Sequence, residues 1–74
     1  MGQIMNITSS SDIGKLIRQT RLEQSMTQGE LAMASGTGIR FISNLENGKE
    51  SCQLQKVLHI MKMLGIKLTA IVPR

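Results

Sequence analysis

Residues 27–48, TQGELAMASGTGIRFISNLENG, constrain this chain more than any other stretch, because two helix starts and two helix stops follow one another with almost nothing between. Thr27 with Glu30 three residues on is a capping box: the hydroxyl covers an exposed helix N–H and the carboxylate reaches back to the cap. The spacing predicts a short helix over residues 28–35. Gly36 can take the left-handed conformation that ends it. Thr37 is the expected cap of a second helix running through Ile39 to about Asn47, where Gly48 supplies the next stop.

Two short helices joined by a glycine-containing turn of about three or four residues make a helix-turn-helix. The second helix has two faces. At about 100° per residue, with Ile39 as origin, Phe41, Ile42 and Leu45 fall between about 200° and 300°, while Arg40, Ser43, Asn44 and Asn47 fall between about 40° and 140°. The first set faces a core. The second carries side-chain types that read base edges in a major groove, since arginine grips guanine, asparagine grips adenine and serine pairs with either. Ile39 lies at the edge of that face, where it either touches a thymine methyl or packs. An amphipathic helix also has a polar face by default, so polarity alone leaves a merely solvated surface as the alternative.

Thr27-Gln28-x-Glu30-Leu31-Ala32, then Gly36, then Ile42-Ser43-x-Leu45-Glu46-Asn47-Gly48-Lys49 resemble the Xre/Cro/C1-type helix-turn-helix family, most closely the HipB-like antitoxins of toxin–antitoxin operons. The likeness continues through Lys56-Val57-Leu58 and Leu64-Gly65-Ile66 and so covers about residues 13–72. It implies a mainly all-α, lambda-repressor-like four-helix domain that binds double-stranded DNA and regulates transcription. It also implies a second job, neutralising a HipA-like kinase toxin. A free-standing regulator without a toxin and a toxin-binding module with little DNA affinity are the alternatives. The chain, ending at Arg74, is expected to lack the extended tail of longer HipB-like proteins.

Composition agrees with a double-stranded DNA partner. Nine Lys+Arg against five Asp+Glu give a formal charge of +4, which attracts an anionic partner. With one aromatic residue, Phe41, and neither tryptophan nor tyrosine, the chain has no platform on which single-stranded bases could stack. Cys52 is the one cysteine, with no partner for an internal disulfide and no metal-ligand spacing around it, so a reducing cytosol fits best, and the resemblance implies a bacterial cytoplasm and nucleoid. No secretion signal or run of about 18 apolar residues is present, and a secreted or membrane-embedded protein is not expected. His59 stands alone, and Asp12, Glu23, Glu30, Glu46 and Glu50 are scattered; we expect neither an enzyme nor a metal or cofactor site.

In chain order, residues 1–8 read as an arm, with Ile7 placed to staple onto the first helix. Residues 9–65 form the DNA-binding domain. A first helix starts within residues 9–12 and runs to about Gln24, with Ile13, Leu16, Ile17 and Thr20 inward and Lys15, Arg18, Gln19 and Glu23 in water. Arg21 lies near the apolar stripe, so its stem should cover core while its head pairs with an acid, Glu46 being the candidate that the resemblance supports. Met26 closes the core under the turn, Leu31 and Ala32 face inward, and Ala34 is small enough for close approach. A fourth helix over residues 54–64 has an apolar stripe of Leu54, Val57, Leu58, Met61 and Leu64, widened by Ile60, and Gly65 ends it.

Over residues 66–72 the period changes to alternation: Ile66, Leu68, Ala70 and Val72 against Lys67 and Thr69, stopped by Pro73. One strand leaves its backbone groups unpaired, so the tail, residues 66–74, is expected to dimerise through Ile66, Leu68, Ala70 and Val72, with the fourth helices also packing. Pairing with the arm around residues 4–7 is the alternative within one chain. A homodimer would place two recognition helices on a roughly palindromic operator. Arg40, Ser43 and Asn44 would contact bases, with Ile39 and Asn47 at the margin. Gln28, a position from which members of the resembled family reach a phosphate, would hold the backbone together with Lys49, Thr37 and Gly38.

Overall fold

The computed structural model describes residues 2–73. Four helices form among them: α1 (Ser10–Glu23), α2 (Gln28–Ser35), α3 (Ile39–Glu46) and α4 (Leu54–Met63). Two of the starts, those of α1 and α2, are capped by side chains. The Ser9 hydroxyl accepts from the Asp12 N–H at 3.1 Å, and the Asp12 carboxylate reaches back to the N–H and hydroxyl of Thr8, both at 3.0 Å. These bonds hold the Asp12 carboxyl below its usual range. The capping box of α2 is complete, with Glu30 N–H to Thr27 Oγ1 at 3.0 Å and Thr27 N–H to Glu30 Oε1 at 2.8 Å.

All four helices stop by one device, a left-handed residue whose two flanking N–H bonds close back on the last turn. Gly36, Gly48 and Gly65 take that conformation, with φ of 71°, 83° and 80°. At the end of α1 the position belongs to Ser25, φ 57°, which pays a steric cost that glycine avoids. Behind each, the following N–H bonds to a carbonyl five residues earlier: Met26 to Arg21, Thr37 to Ala32, Lys49 to Asn44 and Ile66 to Met61.

The core is aliphatic. Ile17, Leu31, Ile42, Ile60 and Met61 are fully buried, with Ala32, Leu45, Val57 and Leu64 around them and Ile13, Leu16, Met26, Phe41 and Ile66 packed on the margin. Full burial of each large side chain contributes about 1.5–3 kcal/mol. α3 packs against both α1 and α2, and α4 closes the other side of α2. The close pass between α1 and α3 occurs at Gly14, where a Cβ would lie 2.8 Å from the Glu46 carbonyl oxygen and nearer still to that of Leu45. Ser10 Oγ bonds the Gly48 carbonyl at 3.0 Å and Gln24 Nε2 the Leu64 carbonyl at 2.8 Å, tying both ends of α1 to distant helix ends.

Four expectations are corrected. The stripe of α4 that turns inward is Val57, Ile60, Met61 and Leu64; Leu54 is 67% exposed and Leu58 37%, because Ile60 rather than these two meets the core. Ser35, not Ala34, is the buried residue at the end of α2, its hydroxyl satisfied by the Leu31 carbonyl at 2.8 Å. The cap of α3 is Gly38, not Thr37, because the helix opens with the bond from the Ile42 N–H to the Gly38 carbonyl, and the Thr37 hydroxyl lies instead 2.9 Å from that of Ser35. Finally, residues 66–73 carry no strand, and among the described residues no backbone hydrogen bond joins them to the arm, so the ribbon within one chain does not form. A strand is defined by its ladder, and a lone segment has none.

Candidate nucleic-acid interface

α3 owes its position to one buried ion pair. Arg21 Nε donates to Glu46 Oε2 at 2.6 Å and its second terminal nitrogen to Glu46 Oε1 at 2.9 Å, a two-pronged grip joining α1 to the last residue of α3. The remaining terminal nitrogen of Arg21 donates to the Met26 carbonyl at 2.8 Å, holding the turn before α2. Gln28 Nε2 donates to Glu46 Oε1 at 3.0 Å, so α2 joins the same carboxylate. The Glu46 side chain is only 2% exposed. Burial raises its carboxyl, but the hydrogen bonds from Arg21 and Gln28 and the charges of Arg21 and Arg18 outweigh it and leave the group below its ordinary value. The bond to Glu46 keeps the Arg21 guanidinium charged against its own desolvation. Among the described residues, every buried side-chain polar atom has a partner.

With its base clamped, α3 presents the expected polar face. Arg40 and Asn47 are exposed and Ser43 and Asn44 half-buried, while Ile42 and Leu45 fill the core behind them. Phe41 is half-buried at the flank, with the Lys56 ammonium 5.5 Å from its ring centroid. Ile39, the first residue of α3, is 57% exposed and precedes Arg40. All five sequence-derived base-reading candidates keep surface exposed, Asn47 as the residue just past the end of α3.

The backbone-contact candidates separate. Gln28 is half-buried, with one amide donor committed to Glu46 and the rest of its amide without a side-chain partner among the described residues. Lys49 is exposed just past the end of α3. Gly38 brings no side-chain oxygen to the start of α3, so the first N–H groups of that helix stay open to an anion. Thr37 differs. Its N–H bonds the Ala32 carbonyl, and its hydroxyl lies 2.9 Å from the Ser35 hydroxyl, in hydrogen-bond contact within the protein.

Of the expected dimerisation residues, Ile66 packs against the chain's own core, while Leu68, Ala70 and Val72 stand exposed. Sequence reasoning missed Gly14 and Gly29. The first lets α1 approach α3. The second sits in the first turn of α2, where a Cβ would come within 3.9 Å of Ile39 Cδ1. A glycine inside a helical pattern was the available signal for both.

A family model described as helix-turn-helix matches residues 17–71. Over 67 residues, 90% of this chain and 88% of the relative, the sequence is 43% identical to an uncharacterized HTH-type transcriptional regulator, y4mF, of Sinorhizobium fredii. Among solved structures, the fold is similar to a chain of a HipA-HipB-O2-O3 complex, with a TM-score of 0.84 and 25% identity over 96% of this chain and 100% of that one. A HipB-O4 20mer complex matches with the same TM-score, identity and coverage.

Proposed function

The chain belongs to the helix-turn-helix family, and from that premise we propose that it is a homodimeric, sequence-specific transcriptional repressor of double-stranded DNA. The observation that carries this reading is the outward polar face of α3, held at a fixed angle by the Arg21, Glu46 and Gln28 contacts. Each α3 enters a major groove; Arg40, Ser43 and Asn44 read bases, with Ile39 and Asn47 at the margin. Gln28, Lys49 and the open N–H groups after Gly38 hold phosphates, which set position without specifying sequence. The site of action is the bacterial cytoplasm, at the nucleoid.

The test is fluorescence anisotropy on duplex DNA from the protein's own upstream region, across a salt series. Wild type is expected to bind tightly and to weaken steeply with salt, and Arg40→Ala to lose about 1–3 kcal/mol with relaxed preference at one base position. Binding that is weak and indifferent to both sequence and the Arg40 change would reduce the motif to a scaffold.

A second, finer role rests on the similarity to HipB in a complex with HipA. We propose that this chain is a HipB-like antitoxin that represses its own operon and neutralises a HipA-like kinase, using surfaces away from α3. Co-purification with an adjacently encoded kinase supports that role. A gene without such a neighbour would leave a free-standing regulator.

A further inference from the structure

One residue does not fit a face built only to be wet. Ile39 is a large aliphatic side chain, 57% exposed, at the first position of α3 and beside the exposed Arg40. A helix of this size has an inner side for such a residue, and Ile42, three positions on, occupies it with no exposure at all. Ile39 instead stays more than half exposed, and a Cβ built at Gly29 of α2 would lie 3.9 Å from its Cδ1. Any side chain at position 29 would come within contact distance of that methyl and cover part of it. Gly38 before it has nothing within 4 Å of where its Cβ would be, so the approach from the N-terminal side is open as well.

The apolar chemistry of a major groove is one group, the C5-methyl of thymine, which cytosine acquires only when methylated. We propose that Ile39 reads a pyrimidine C5-methyl in each half-site, close to the base pair that Arg40 reads. Ile39 is thereby a specificity-determining residue, and Gly29 keeps it bare. The proposal rests on the reading of α3 as a recognition helix and adds to it a ligand group that hydrogen bonding cannot discriminate, because uracil and thymine present the same acceptor.

The experiment takes the full chain and a duplex selected by it from a randomised pool, then replaces each thymine singly by uracil and measures affinity by anisotropy. Wild type should bind about fourfold more weakly when the methyl at one thymine position per half-site is removed, the effect of losing one buried methyl group. Ile39→Ala, which alters a largely exposed position and should melt as wild type does, should bind the thymine and uracil duplexes equally. If that position is changed to cytosine, 5-methylcytosine should be preferred over cytosine by wild type alone. Selection of a defined site with no uracil-sensitive position, or sensitivity that persists in Ile39→Ala, would overturn the proposal while leaving the DNA reading intact. Failure to select any site would overturn both.

Discussion

A single carboxylate ties three helices together. Glu46 receives two hydrogen bonds from Arg21 and one from Gln28 inside a region almost closed to water. Removing one partner of a buried pair costs about 3–5 kcal/mol, because the other charge stays buried without compensation. A domain of this size has roughly 5–15 kcal/mol in total, so Glu46→Gln should bring the chain close to unfolding at ambient temperature, as read by thermal melts followed by circular dichroism. The pH dependence has a definite sign. Because the folded state holds the Glu46 carboxyl below its ordinary value, its contribution is present above about pH 4.5 and is lost as the pH falls through the depressed value. Wild type should therefore lose stability on acidification below that point, and Glu46→Gln should show a shallower acid limb, the remainder coming from Asp12 and Glu30, which are also held low. An unchanged acid limb in the variant would show that the pair adds nothing.

Among the elements, α1 against α3 shows how a local preference and a tertiary demand can oppose each other. Alanine is about 1 kcal/mol better than glycine inside a helix, so Gly14→Ala should stabilise α1 if α1 stood alone. A Cβ at that position runs into the carbonyls of Leu45 and Glu46, which are backbone and cannot swing aside. Overpacking of this kind costs about 1–3 kcal/mol, so the net expectation is destabilisation and a lower melting temperature. A rise in melting temperature would refute the close approach. The same opposition explains what was legible in the sequence. The capping box, three of the four stop residues, the bounds of α2 and the Arg21 to Glu46 pair were readable because each is carried by a local spacing or by a motif shared with the resembled family. The outward face of α3 was readable from its angular pattern alone. Which edge of α4 turns inward was not, since Leu54 and Ile60 are equally apolar and only the position of the neighbouring helices distinguishes them. Nor was Ser25 as a left-handed stop, because serine gives no conformational signal in sequence.

At the scale of the whole molecule, one chain leaves too much apolar surface uncovered. Ile71 is 98% exposed and Leu68 and Val72 more than half, and the flank of α4 carrying Leu54 and Leu58 is open too. Apolar side chains left open in this number are candidates for burial against a second surface. The tail between Ile66 and Pro73 has alternating character but no ladder partner of its own, which a second copy would supply across a two-fold axis. Sedimentation equilibrium at micromolar concentration should give twice the 8.1 kDa of one chain, and a Leu68→Lys, Val72→Lys double variant should return to the single-chain mass with its helix content unchanged. A wild type that sediments only at the single-chain mass would exclude the dimer.

The start of α3 has a different consequence. Its far end is clamped by Glu46, while its first turn, behind Gly38, has no side chain to occupy its N–H groups. The helix is thus anchored by side chains at its far end and left without a side-chain cap at its near end. In the proposed complex a phosphate would supply the cap that no side chain gives, so one anion would complete the helix end and set the register of the protein on its ligand.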